Sequence, residues 1–230
     1  MTTDSAASRG PLRWVVRETL GTVMVLVILM LSAGRWDWWA GWALVSIYAG
    51  WVAGNAVLIL PRHPDLLVER ATQRPERSWD RRILAWVGML TVAAYVVAGV
   101  DERLGWSNVP VWVQWAGGVA AAAGYALVTW SMLANAYFST VSRIQAERGH
   151  AVATGGPYRF VRHPGYVGAT AFQGATPLLL GSWVALPLGL VGAGLMVART
   201  RLEDRMLAEE LPGYPEFADT VRWKLVPGVW

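Results

Sequence analysis

The charges of this chain are gathered into a few short segments, and the stretches between them carry none. Residues 20–33, 38–60, 83–100, 111–133, 166–180 and 183–198 contain no Asp, Glu, Lys or Arg. Crossing a bilayer core as a helix takes roughly 20 apolar residues, and several of these runs come close to that length. The expected class is therefore all-α: a polytopic membrane protein of about six transmembrane helices. The fifteen tryptophans agree, because the indole ring is apolar while its N–H prefers to stay wet, which places it at membrane interfaces. The last two runs are short and contain Pro177 and Pro187. One of that pair is expected to be kinked or only partly spanning, since such breakers survive where neighbouring helices re-satisfy the backbone. The first run, with Arg13 and Arg17 before it and "LSAG" at its end, has the form of a secretory signal. The spans that follow make an uncleaved first helix the simpler reading.

Cations sort strongly by side. The N-terminus, the loop 61–82, the loop 134–165 and the tail 199–230 hold all twenty arginines and lysines except Arg35 and Arg103. Positively charged flanks stay in the cytoplasm, so both termini and both long loops are expected there. This bias also explains the net charge of +4 without nucleic acid, for which no basic recognition element is visible. The absence of cysteine excludes disulfides, thiol nucleophiles and Cys-ligated metals. Three histidines, His63, His150 and His163, argue against a protein-ligated zinc site; His63, in "PRHPD", reads as structural. Span centres carry only the mild polar residues Asn55, Gln114 and Gln173, which argues against ion transport.

Two cytoplasmic segments carry the candidate chemistry. The first, Asn135–Tyr166, is long for a loop between membrane helices, and such loops are usually functional or disordered. Its aromatic and aliphatic residues argue against disorder. Gly155, Gly156 and Pro157 impose turns, and Pro164 is placed to open the next helix, where a missing N–H costs nothing. The exposed amides of that helix start favour an anion such as a carboxylate. The second segment begins at Ala198. Residues 199–211 read as a helix stopped by Pro212 and Gly213, with Arg199 and Glu203 on one face. The apolar tail, from Trp223 to Trp230, is expected to pack on membrane or protein. Taken singly, these features have plain readings. Arg159, Arg162 and His163 suit interfacial anchoring, Tyr158 and Tyr166 suit interface aromatics, and Arg199 with Glu203 suits a surface helix pair of about 0.3–0.5 kcal/mol.

The combination is more specific. "GPYRFVRHPGYVG" followed by "RTRLEDRML…PGYPEF…LVPG" resembles the isoprenylcysteine carboxyl methyltransferase family of integral-membrane methyltransferases, related to phospholipid methyltransferases. The resemblance runs from about Phe138 to the end. It divides the chain into N-terminal membrane helices (1–133) and a methyltransferase region (134–230). It implies S-adenosylmethionine as cofactor, bound in a cytoplasmic pocket formed by the C-terminal half. Carried over by position, the cofactor residues are His150, Ala151, Val152, Ala153, Tyr158, His163, Pro164, Gly165, Tyr166 and Glu203. Arg199 matches the arginine that holds the substrate in line for transfer. Arg143 stands where animal members carry glutamine, and its guanidinium suits the cofactor carboxylate. The chain departs from the family pattern in carrying Glu203–Asp204 for a usual Glu pair and Phe217 for a common tyrosine.

Those residue types fit the cofactor's carboxylate, ammonium, sulfonium and flat adenine. The reaction implied is carboxyl O-methylation of a lipophilic, prenylcysteine-like acceptor entering sideways from the lipid. Its nucleophile is already ionised at neutral pH, so alignment and exclusion of water carry the catalysis. Arg159 and Arg162 remain plain membrane anchors in this reading. The alternatives are N- or S-methylation of a lipid or small hydrophobic acceptor, a nicotinamide-dependent membrane reductase, and a non-catalytic scaffold or transporter.

Overall fold

All six uncharged runs fold as helices, the local structure in which a lone apolar segment satisfies its own backbone hydrogen bonds. The computed structural model describes residues 9–72 and 77–230; Arg74, one of the cations in the charge bias, lies outside the described residues. In chain order the helices are α1 (Arg9–Ala33), α2 (Trp39–Leu58), α3 (Pro64–Thr72), α4 (Ser78–Leu104), α5 (Val111–Ala134), α6 (Pro164–Leu179), α7 (Leu186–Glu210) and α8 (Tyr214–Thr220). Two short 3₁₀ turns, Ala146–Arg148 and Gly156–Arg159, punctuate the long loop before α6.

Four helices, α1, α2, α4 and α5, are long and apolar enough to cross a membrane. The α6–α7 hairpin is less uniform than six equal spans. α6 has 16 residues, about 24 Å at 1.5 Å per residue, against about 30 Å of hydrocarbon. Pro177 does lie inside it, whereas Pro187 sits in the first turn of α7. The helix expected to begin at Arg199 is not separate. α7 runs unbroken from Leu186 to Glu210, because neither Gly nor Pro intervenes between Gly194 and Pro212. Two short helices are additional to the expected set. α3 lies in the loop 61–82 and buries Leu66 and Leu67 fully. α8 follows the left-handed Gly213 (φ 81°) and buries Tyr214 and Phe217.

Close backbone approach joins α5 to α6. A Cβ on Gly168 would fall 2.3 Å from the Gly124 carbonyl oxygen, and one on Gly124 would fall 2.6 Å from that of Gly168. Small residues are what let membrane helices approach in this way. α4 and α7 run antiparallel, with polar ties at both ends. At one end Arg77 pairs with Glu210 at 2.6 Å. At the other, Asp101 accepts from Ser107 N at 2.7 Å and Oγ at 2.6 Å, and from Ser182 Oγ. Arg35 joins Glu102 at this second end. The exposed residues Asn108 and Glu209 therefore lie at opposite ends of the bundle.

Because the chain has no cysteine, single substitutions report topology directly. A membrane-impermeant maleimide applied to intact cells should label Asn108→Cys and spare Glu209→Cys until the membrane is opened. The reverse pattern would invert the orientation expected from the charge bias.

Candidate active site

α7 presents one face along which residues recur every three or four positions, Met196, Arg199, Glu203 and Leu207, and Leu211 follows just past its end. All five line a cavity of about 400 Å³, within the roughly 300–1,000 Å³ of small-molecule sites. From Met196 to Leu207 is about 16 Å of helix, so this wall spans chemically different regions. One end is aromatic and lies in the bundle. Trp51 stacks on Tyr125 with ring centroids 5.1 Å apart, and both pack with Phe138 on one apolar cluster. The other end lies under the C-terminal segment, where Tyr158, Leu211, Tyr214 and Phe217 form a second cluster with Val152 and Ala153 packed on it.

Polar groups sit between these ends. Glu203 accepts through one oxygen, Oε2, from the Tyr166 hydroxyl at 2.7 Å and from Ser142 Oγ. Arg199 is not paired with Glu203, its neighbour one turn along. It donates from Nε to Asp80 Oδ1 at 2.7 Å and from Nη2 to the Thr140 carbonyl at 2.8 Å. Its guanidinium lies 5.2 Å from the centre of the Tyr166 ring. Burial works against the Arg199 charge, but the surrounding tyrosine and carboxylates raise its pKa further above the ordinary value. Asp80, at 0% exposure, also accepts from Ser142 N at 3.0 Å.

Beside this centre Asp204 gathers four partners. Arg162 grips it from Nε at 2.8 Å and Nη2 at 3.1 Å. His163 Nε2 lies 3.0 Å away, the Tyr214 hydroxyl donates at 2.8 Å, and Lys224 Nζ lies 3.2 Å away. Burial opposes ionisation of Asp204, yet the hydrogen bonds from His163 and Arg162 hold its carboxyl well below the usual carboxylate range. The membrane-anchor expectation for Arg162 is thus corrected. The side chain is 8% exposed, and Nη1 also binds the Val221 and Arg222 carbonyls, each at 2.9 Å. It turns inward because Asp204 and the returning tail offer it a complete set of acceptors. Arg159 stays exposed.

The expected site residues Arg143, His150, Ala151, Val152, Ala153, Tyr158, His163, Gly165, Tyr166, Arg199 and Glu203 all line the cavity. Pro164 does not. It is buried in the first turn of α6 and shapes the wall through the helix it starts. Arg143 arrives already neutralised, by Glu69 at 2.8 Å and Glu147 at 2.6 Å, so it does not offer a free cation. Gly165 makes room for a neighbour in the protein itself: a Cβ there would fall 2.5 Å from the Phe138 ring. His150 accepts the Gln145 N–H on Nδ1 at 3.2 Å and stacks on Tyr137, which leaves Nε2 to carry the proton. Among the described residues, no hydrogen bond engages the backbone of Ala151, Val152 or Ala153. The wall also includes Glu18, Tyr48, Trp51 and Arg70, so the cavity draws on both halves of the chain.

Residues 112–212 match the phospholipid methyltransferase family. The matched segment runs from α5 to just beyond α7, and its family is one of membrane methyltransferases. It contains Arg143, His150, Tyr158, His163, Tyr166, Arg199 and Glu203. The partners of two of them, Asp80 for Arg199 and Glu69 for Arg143, come from outside it. No curated protein matched the chain.

Sequence reasoning missed Asp80, Ser142, Asp204 and Tyr214. Asp80 looks like an ordinary acidic residue in a first helical turn, and nothing local marks its partner 119 residues away. Tyr214 had a usable signal, since Tyr214, Phe217 and Val221 fall on one helical face after Gly213.

Removing the Asp204 carboxylate leaves Arg162 buried without its counter-ion, a change that costs about 3–5 kcal/mol. Asp204→Ala should therefore lower the thermal midpoint of the detergent-purified protein substantially, while Arg159→Ala at the exposed position should stay within about 0.5 kcal/mol. A second expectation concerns pH. Burial lowers the His150 pKa below its ordinary 6.5, so the fold favours the neutral ring. That contribution is fully present above 6.5 and is lost as pH falls through the lower folded value. Lowering pH from about 7.5 to about 5.5 should reduce the thermal midpoint more in the native protein than in His150→Gln.

Proposed function

We propose that this protein is an S-adenosylmethionine-dependent methyltransferase acting on a lipophilic acceptor, with carboxyl O-methylation of a prenylcysteine-like group as its reaction. In this reading the termini and the cavity opening face the cytoplasm. The observation that carries it is the polar centre of the cavity. Glu203, Tyr166 and Arg199 are held by Ser142 and Asp80 between two apolar clusters, within the segment that matches the family.

The residues present fit the cofactor. Among the described residues nothing hydrogen-bonds Glu203 Oε1, which suits an ammonium or ribose hydroxyls. The unpaired backbone of Ala151–Ala153 supplies the donors and acceptors that a purine edge requires, and His150 Nε2 adds an N–H. When bound, S-adenosylmethionine supplies an electrophilic methyl group on a cationic sulfonium. Among the described residues Arg199 Nη1 stays clear of the bonds that fix its other nitrogens, and that N–H holds an acceptor carboxylate. The Asp80 and Thr140 contacts lock the guanidinium rotamer, so alignment is set before the acceptor arrives. No general base is needed, because a carboxylate is ionised at neutral pH. The apolar groups on either side exclude water from the reacting pair.

A second reading is methylation of an amine on a lipid head group; the family's description, phospholipid methyltransferase, favours the lipid acceptor. An amine must lose a proton, and Glu203 is the carboxylate positioned to accept it.

Detergent-purified protein should bind S-adenosylhomocysteine, and Glu203→Ala should weaken that binding about ten- to hundredfold, the scale of a hydrogen bond to a charged group. Unchanged affinity in the variant would remove Glu203 from the site. Binding of NADPH instead would transfer the reading to a reductase. Arg199→Ala separates the two acceptors: loss confined to carboxylates supports O-methylation, and activity on amines that survives in Arg199→Ala, with none on carboxylates in the native protein, supports the second reading.

A further inference from the structure

Four arginines line the cavity, and three of them have carboxylate partners. Arg143 is matched by Glu69 and Glu147, Arg162 by Asp204, and Arg199 by Asp80. The fourth, Arg70, has none among the described residues. Glu18, which shares the wall, is paired with Arg17 at 2.6 Å. Arg70 Nε is buried and makes no hydrogen bond among the described residues. The guanidinium carbon lies 5.4 Å from the centre of the Phe138 ring, and the same ring packs against Gly165, next to Tyr166. Burial depresses the Arg70 pKa to about 10, with the Glu18 charge acting against it.

A second orphan lies at the same aromatic end. Trp51 lines the cavity, and its buried Nε1 has no partner among the described residues. Both groups are donors and neither accepts. An apolar ligand leaves them unsatisfied, and another donor makes matters worse; an oxyanion satisfies both. The platform is firm, because α3 is pinned by Leu66 and Leu67 in one cluster with Trp14 and Met132.

We propose that Arg70, assisted by Trp51, is a second anion site of the cavity, distinct from the Arg199 N–H that aligns the reacting carboxylate, and that it takes a carboxylate or phosphate carried by an amphiphilic acceptor with an apolar chain. This rests on the methyltransferase reading of the cavity and extends it to residues outside the matched segment. The apolar chain lies against Tyr125, Val128 and Phe138, all on that wall. The backbone of Val152 and Ala153, suited to the cofactor, packs on the other cluster.

The test uses the full chain in a non-ionic detergent and three probes: dodecanoate, dodecyl phosphate and dodecanol. Their binding, and that of S-adenosylhomocysteine, is measured on the native protein, Arg70→Gln and Arg70→Lys. Arg70→Gln should weaken one or both anionic probes about ten- to hundredfold, as expected for a charge-assisted contact. It should leave dodecanol and S-adenosylhomocysteine unchanged, and Arg70→Lys should retain part of the affinity. Which anion loses more tells whether Arg70 takes a carboxylate or a phosphate. The proposal is overturned if the anions bind as before. It is also overturned if dodecanol is lost equally, or if S-adenosylhomocysteine is lost while the anions are retained. Should Arg70→Gln fail to fold, equal affinity of Arg70→Lys and native protein for dodecanol, with no preference of either for the anions, overturns it as well. Failure of the native protein to bind S-adenosylhomocysteine removes the methyltransferase reading instead, and the anion-binding comparison stays readable in the same preparation.

Discussion

The buried ion pair between Asp80 and Arg199 holds the two halves of this molecule in register. Asp80 stands at the start of α4 with no exposure, and Arg199 stands midway along α7. Ser142, from the loop between α5 and α6, donates its amide to the same carboxylate. One carboxylate thus fixes α4, α7 and the long loop against each other. Two charges taken out of water are tolerated only when geometry and extra hydrogen bonds are good, and both conditions hold here. Losing either partner would strand a charge where the bundle meets the cavity.

A similar economy organises the neighbouring carboxylate. Asp204 collects Arg162, His163, Tyr214 and Lys224, which brings the start of α6, α8 and the tail onto α7. The tail is also tied by backbone: the amides of Arg162 and His163 donate to the Trp223 and Lys224 carbonyls at 2.8 and 3.0 Å. Adjacent residues of α7 therefore divide the work. Asp204 closes the structure on one side, and Glu203 faces the cavity with an oxygen to spare. Such fully bonded surroundings hold side chains in one rotamer, which is what a site acting by alignment requires.

Much of this was legible from residues alone. Uncharged runs read as helices, Pro164 read as a helix start, and Pro212–Gly213 read as a helix stop. The stretches around His150, Tyr158, His163–Tyr166 and Arg199–Glu203 stood out by type and spacing, and their side chains line one cavity apart from Pro164. What was not legible was the choice of partner. Arg162 looked like an anchor because its acceptors are 42 or more positions away in sequence. Gly165 looked like room for a ligand, and the space belongs to Phe138. α3 was hidden inside a loop rich in charge, since a helix of nine residues is stabilised by tertiary burial of Leu66 and Leu67 more than by its own propensity.

The sequence by itself determined the class of the protein, because apolar run length and the sidedness of cations act locally on each segment. Periodicity likewise set Arg199 and Glu203 on one face, a consequence of helical geometry alone. The tertiary structure decided which charges are neutralised and which remain available. Pairing depends on distances between segments far apart in the chain. Only the packed bundle brings Asp80 to Arg199 and Glu69 to Arg143, and leaves Arg70 facing the cavity without a carboxylate among the described residues.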